Sequence, residues 1–275
     1  MALMIRTTKE LINPESLKLK ILLIGLPGTG KTTFMATAPN LGAGICENGH
    51  GRGLLSVATK EFNYAELNNY GEFDEFCSGT IFKDKDVLGL DSLSEMVRSF
   101  IKDKAVSMPR LKGESQKRQL GVPELDDYGV IAELTRKLLQ KFINQPKHII
   151  VTSGLRIDRP DMESGQGETI IGPDLPGQMF LGATAMFDIV LCLRSRSVLA
   201  DPKDAKSRYT ERYFMTEGGN GILAKNRLSV GNKGISFLPK EVVFNQEKGT
   251  GTFNWFLDTA KAAYAKHTAE QGIKV

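Results

Sequence analysis

Three cysteines and three histidines are all that this 275-residue chain holds of the residues that build disulfide frameworks and thiolate–imidazole metal centres. Cys46, Cys77 and Cys192 lie far apart, and His50, His148 and His267 share no ligand spacing with them. They are too few and too scattered for a disulfide framework or a cysteine-type zinc site, and reduced thiols are expected. No run of about 18 apolar residues occurs, the minimum a membrane helix needs. The opening MALMIRTTKE lacks the apolar stretch of a secretory leader. No membrane partner follows from this, and a cytoplasmic location is expected. The excess of one charge over the other is small too. Against 32 Asp and Glu stand 36 Lys and Arg, a formal net charge of +4, which permits a polyanionic partner without requiring one. Internal repeats and low-complexity tracts are absent.

What is present is an alternation of short apolar runs with helical patterns. The hydrophobic content of 41% is ample for a core, and the length suits one decorated domain over 1–275. Its core is expected over about 18–240, with a terminal strand and helix in 241–275. Lys18–Ile24, Ala43–Cys46, Val87–Leu90, His148–Val151 and Asp188–Leu193 read as buried strands, since strands covered on both faces show unbroken apolarity rather than alternation. Helical spacing marks Lys31–Ala38, Ser92–Lys102, Leu125–Ile143 and Phe253–His267. Toward the end, Arg212–Thr216, Ile222–Leu228 and Gly234–Phe237 read as shorter strands between glycine-rich turns. The expectation is an α/β fold: a doubly wound, mainly parallel sheet with antiparallel strands added toward the C-terminus. Lys102–Gly121 and Arg156–Gly177 are expected to be long loops. Trp255, with Phe253 and Phe256, is expected to pack a terminal helix, Tyr128 to join the core beside Ile131, and His148 to be structural.

One segment carries specific chemistry. Gly25-Leu26-Pro27-Gly28-Thr29-Gly30-Lys31-Thr32 follows an apolar strand and opens a helix, the context in which G-x-x-x-x-G-K-[ST] cradles phosphates. Glycine lets the backbone wrap and aim its N–H groups inward, and the helix start adds a positive dipole end. Lys31 is expected to reach the β- and γ-phosphates, and Thr32 to ligate Mg²⁺, with Thr33 completing the loop. ATP and Mg²⁺ are the expected ligands. Asp91 ends an apolar strand, interrupted only by Gly89, and serves either as a partner of Mg²⁺ or as the cap of the helix that Ser92 and Glu95 support. Glu47 ends the strand after the phosphate-loop helix and can orient an attacking water; Glu95 is its rival.

These residues, taken in order, carry a resemblance. The phosphate loop, Glu47, Asp91-Ser92-Leu93, Thr152-Ser153 and Lys225-Asn226-Arg227 are together similar to the RecA-like P-loop ATPase core. They look most like compact phage-encoded ATPases of the single-strand annealing or recombinase-like AAA kind; a phage origin would make the location the host cytoplasm. The resemblance implies that Glu47 is the catalytic carboxylate, that Thr152 or Ser153 senses the γ-phosphate, and that Lys225 and Arg227 reach a neighbouring subunit's ATP. It also implies single-stranded DNA as partner, held by the two long loops through Lys104, Arg110, Lys112, Lys117, Arg118, Arg156 and Arg159. A homo-oligomer is implied, ring or filament, with a single-strand binding or recombination protein as a further partner. Beside this DNA-stimulated ATPase stand two other readings, a nucleotide-gated scaffold without turnover and a P-loop small-molecule kinase.

Overall fold

The computed structural model describes residues 17–46, 52–108, 122–159, 169–227 and 238–270. Its frame is a nine-stranded sheet in the order β11-β9-β8-β1-β5-β4-β2-β3, with β10 paired to β8 off that path. The strands β1 (Lys20–Gly25), β2 (Leu41–Ile45), β3 (Asn63–Glu66), β4 (Val87–Asp91), β5 (His148–Ser153) and β8 (Ile189–Leu199) run parallel. Antiparallel to their neighbours are β9 (Arg208–Met215), β10 (Lys225–Asn226) and β11 (Glu241–Val243). A mainly parallel α/β sheet with antiparallel additions toward the C-terminus is thus what the chain forms.

The period of two along each strand sends alternate side chains to opposite layers. From β1, Ile21 and Leu23 enter a core with Phe34 and Met35 of α1 (Lys31–Met35) and with Phe253 and Phe256 of α7 (Phe253–Glu270). Leu22 and Ile24 enter the other core, among Phe73 and Phe76 of α2 (Tyr70–Cys77) and Leu138 and Phe142 of α5 (Leu125–Ile143). Helices on both faces make the sheet doubly wound. Gly89 is the one break in the apolar run of β4. A Cβ there would lie 2.5 Å from the Met35 sulfur, so glycine lets α1 seat directly on the sheet.

Several segments depart from the reading of the sequence. Lys102 to Ser107 is helical: α3 (Leu93–Met96) passes through a π-turn (Val97–Ile101) into α4 (Lys102–Ser107). The stretch expected as a second loop carries β6 (Leu155–Asp158) and β7 (Ile170–Pro173), a separate two-stranded antiparallel sheet, followed by α6 (Met179–Met186). β8 does not stop at Leu193 but runs on to Leu199 as a ribbon paired with β9. Tyr128 is 48% exposed rather than in the core, whereas Phe253 and Phe256 are fully buried as expected. The strand expected at 234–237 lies outside the described residues. Among the described residues no helix is long and apolar enough to cross a membrane.

Candidate active site

β1 delivers the chain into the loop Gly25–Gly30 at the carboxyl edge of the sheet, where ligands of open α/β sheets sit. Leu26, Pro27 and Gly28 form an exposed crest, and Thr29 closes the turn by donating from its hydroxyl to the Leu26 carbonyl at 2.8 Å. Gly30 adopts φ +104°, a left-handed geometry that a side chain would strain. Lys31 Nζ donates to the carbonyls of Gly25 at 2.9 Å and Leu26 at 3.0 Å, so its ammonium already lies over the loop. Because α1 is only five residues long, the loop's N–H groups and Lys31, rather than a long helix's dipole, must do most of the anion binding.

Asp91 is the centre of an arrangement of three side chains. Its Oδ2 accepts from Thr32 Oγ1 at 2.6 Å and its Oδ1 from Thr152 Oγ1 at 2.5 Å. Asp91 is only 5% exposed, and the two hydroxyls supply the hydrogen-bond partners that a buried polar side chain needs. The end of β2 lies alongside, since the Cys46 amide donates to the Asp91 carbonyl at 2.8 Å. The next residue, Glu47, lies outside the described residues. Both of the readings left open for Asp91 are now separable: Ser92, whose hydroxyl accepts from the Glu95 amide at 3.4 Å, is the cap of α3, which leaves the Asp91 carboxylate to Thr32 and Thr152.

That donor set fits Mg²⁺. The ion prefers hard oxygens, keeps several waters and is typically held by one or two protein oxygens together with substrate phosphates. Thr32 spends its proton on Asp91 and keeps its lone pairs, and the carboxylate retains further acceptor capacity. Among the described residues no group of three or more His, Cys, Asp or Glu could hold a metal alone, so Thr32 and Asp91 would hold the ion together with water and phosphate oxygens. When bound, the ion supplies charge neutralisation between the phosphates.

Thr152 and Ser153 are fully buried and turned toward protein partners. Thr152 acts on the site through Asp91, while Ser153 Oγ lies 2.9 Å from Ser94 Oγ, which also accepts from the Gly154 amide at 2.9 Å. The cavity over the loop has a volume of about 640 Å³. Its lining includes Lys31, Thr32, Asp91, Glu95 and Gly154, and Arg98, ion-paired with Asp174, stands at its side. Glu95 accepts from Ser99 Oγ at 2.7 Å and presents the one described carboxylate of α3 to this space. Arg212 of β9 also lines the cavity. Nothing in the sequence marks it, because only the pairing of β9 with the extended β8 carries that position back over the loop.

A family model for an AAA domain matches residues 17–228, the greater part of the chain and all of the site just described. The chain belongs to the AAA domain family. With its phosphate loop and its Asp91, it is a P-loop ATPase domain. Among solved structures, the flagellar accessory protein FlaH from Methanocaldococcus jannaschii is similar at 11% identity and a TM-score of 0.38, over 83% of this chain and 86% of that one. A KaiC-like protein from Pyrococcus horikoshii OT3 is similar at 16% identity and a TM-score of 0.37, over 82% and 85%. No curated protein matches the sequence.

Elsewhere in this AAA domain, Lys225 and Asn226 pair with Val190 and Ile189 at the start of β8, whereas it is Leu193, midway along that strand, that lies beside Gly25. Three residues of strand separate the two levels, roughly 10 Å at the usual rise. Arg227 continues past the start of β8, its amide donating to the Asp188 carbonyl at 2.8 Å. Burial, then the neighbouring Arg227, lowers the Lys225 ammonium to about 8 against a raising effect of Asp188. Lys104 is exposed and stands 5.7 Å from the Tyr70 ring centroid, and Arg156 donates to the Leu175 carbonyl at 3.2 Å and pairs with Asp158. Arg159 is exposed at the end of β6, while Arg110, Lys112, Lys117 and Arg118 lie outside the described residues.

Proposed function

We propose that this AAA domain is a Mg²⁺-dependent ATPase of the RecA-like kind that works on single-stranded DNA as an oligomer with ATP at subunit interfaces. The observation that carries the reading is the contact of Thr32 with Asp91 beneath a lysine-bearing phosphate loop. That geometry suits the transfer of a phosphoryl group to water, where positioning and electrostatics do most of the work. Glu47 is the proposed water-orienting carboxylate.

The interface part of the proposal rests on distance. Within one chain Lys225 and Arg227 sit at the start of β8, three or more residues of strand below the level of the phosphate loop, so a role at ATP needs a neighbour's site. A cation supplied in this way stabilises transition-state charge and makes turnover depend on assembly. The DNA part draws on exposed cations, Lys104 and Arg159 among the described residues.

The test is ATP turnover measured with and without single-stranded DNA over a range of protein concentrations. A rate per subunit that rises with concentration, stimulation by DNA, and loss of both in Lys31→Ala are expected. Arg227→Ala is expected to bind ATP and lose turnover. Hydrolysis at the wild-type rate in Arg227→Ala removes the shared-site proposal, and a rate indifferent to DNA removes the DNA proposal.

A further inference from the structure

The cavity over the phosphate loop has a neighbour, a groove of about 750 Å³ between the outer half of β9 and the turn at residues 243–250. Two residues belong to both spaces, Thr33 and Arg212. The groove's other walls include Tyr209, Phe244, Asn245 and Gln246.

The position of Arg212 is held firmly from below. Phe214, two residues on and therefore on the same face of β9, is fully buried with its ring centroid 5.2 Å from that of Phe34 in α1. The Arg212 carbonyl accepts from the Phe244 amide at 2.8 Å, which ties the strand to the groove's other wall. From there the side chain extends over the loop, and a Cβ on Gly30 would lie 3.2 Å from its guanidinium. Among the described residues no carboxylate or carbonyl pairs with that guanidinium, whereas Arg98 has Asp174 and Arg196 has Glu211 and Glu241. An unpaired cation held against a phosphate loop is arranged for an anion.

The polarity of the site says which part of the anion. Asp91 and Thr32 mark the end where a metal and the transferable phosphate belong. Thr33 is one residue further along α1, and its carbonyl accepts from Gln246 Nε2 at 3.3 Å, inside the groove wall. A triphosphate with its terminal phosphate at Asp91 must therefore send its other end past Thr33 and beneath Arg212.

We propose that Arg212 grips the non-transferred end of the bound triphosphate and that the groove between β9 and residues 243–250 receives the nucleoside. The proposal rests on the phosphate loop's being an ATP site. It makes Arg212 an affinity residue acting within its own chain, and it gives the ribbon extension of β8 and β9 a purpose, since Arg212 pairs with Ser195, beyond the loop's own level.

Calorimetric titration with Mg²⁺–ATP, Mg²⁺–ADP and Mg²⁺–tripolyphosphate tests it on wild type, Arg212→Ala, Arg212→Lys and Gln246→Trp. Arg212→Ala is expected to weaken ATP and ADP alike by about ten- to a hundred-fold, the worth of a hydrogen bond to a charged group, with Arg212→Lys in between. Gln246→Trp fills the groove and is expected to weaken both nucleotides while sparing tripolyphosphate, which has no nucleoside. Arg212→Gln replaces Arg212→Ala if truncation shifts the thermal midpoint without ligand. Unchanged ATP and ADP affinity in the Arg212 variants overturns the proposal, and so does a loss confined to ATP, which would put the guanidinium on the terminal phosphate. Equal losses for nucleotide and tripolyphosphate in Gln246→Trp overturn the groove assignment. Wild-type protein that takes up none of the three ligands refutes the phosphate-loop reading itself, an outcome distinct from all of these.

Discussion

Replacing Thr152 by valine isolates one bond of the Asp91 arrangement. The two side chains have nearly the same shape, and Thr152 is fully buried, so the change removes a hydroxyl without opening a cavity. Its loss leaves Asp91 Oδ1 without its 2.5 Å donor while Oδ2 keeps Thr32 at 2.6 Å. A hydrogen bond to a charged group contributes about 1.5–3 kcal/mol. The carboxylate would then turn on its remaining partner, and the groups that orient a metal ligand typically change metal affinity or activity by about 10–100-fold. Steady-state turnover, measured against Mg²⁺ at fixed ATP, should show half-saturation moving upward by about 10–100-fold. At high Mg²⁺ most of the maximal rate should return, and Thr152→Ser should restore the wild-type curve. Unfolding by urea without nucleotide should show a loss of about 1.5–3 kcal/mol. The reasoning fails if the Mg²⁺ half-saturation is unchanged while the maximal rate collapses. That result would mean the hydroxyl acts on phosphate directly, and not through Asp91.

Phe34→Ala removes a ring that meets Phe214, Phe244 and Phe256 at centroid distances of 5.2, 6.1 and 5.9 Å, and urea denaturation should record a loss of about 3–5 kcal/mol. Gly89→Val should drive α1 off the sheet, because even a Cβ would meet the Met35 sulfur at 2.5 Å; a raised Mg²⁺ requirement is expected, and unaltered Mg²⁺ dependence in a folded variant would contradict it. Burial first, then the positive charges of Lys18, Lys20 and Lys261, lowers His148 to about 4, and its Nδ1 accepts from the Leu19 amide at 3.0 Å. The folded state thus binds fewer protons than the unfolded chain between about pH 6.5 and 4, so stability is full above that window and lost as pH falls through it. By pH 5 the loss should be about 2 kcal/mol, measured as a shift in the urea midpoint that flattens in His148→Asn; an equally steep pH dependence in that variant would assign the effect elsewhere.

The strands that carry the site were legible because burial on both faces leaves an unmistakable trace. β1, β4 and β5 are buried at nearly every position and read as short apolar runs. The phosphate loop needed no structure to find, since glycine, lysine and threonine at fixed spacing have few other uses together. What stayed hidden lies at edges. β3 is the terminal strand of the sheet, its Asn63-Tyr64-Ala65-Glu66 mostly exposed and without an apolar run. The outer half of β8, Arg194 to Ser197, is exposed ribbon, so its polar sequence reads as the end of a strand that in fact continues. Arg212 was hidden for the same reason, because its partner Ser195 belongs to that ribbon. α4 read as loop because its Lys102, Asp103 and Lys104 face away from the core, and only Ala105 is buried. Thr152 stood out as a polar strand end, but its partner is set by strand order, which the sequence does not spell out.

Strand order and period two together explain why Thr32, Asp91 and Thr152 meet. β5 lies between the loop strand β1 and the Asp91 strand β4. Its register sets Leu23 beside Thr152 and Leu90 beside Val151, so Thr152 and Asp91 stand at the same level. Ile150 points into the core around α1, as does Val87; two and four residues on, Thr152 and Asp91 must face the same layer. Met35 of α1 seats on Gly89, and Thr32 is one helical turn earlier on the same helical face. Asp91 is two residues beyond Gly89 along β4, which puts it under Thr32. The glycine that interrupts an otherwise apolar strand is thus what sets the height of α1. Any larger residue there would lift the helix and part the 2.6 Å contact between Thr32 and Asp91 on which the metal site depends.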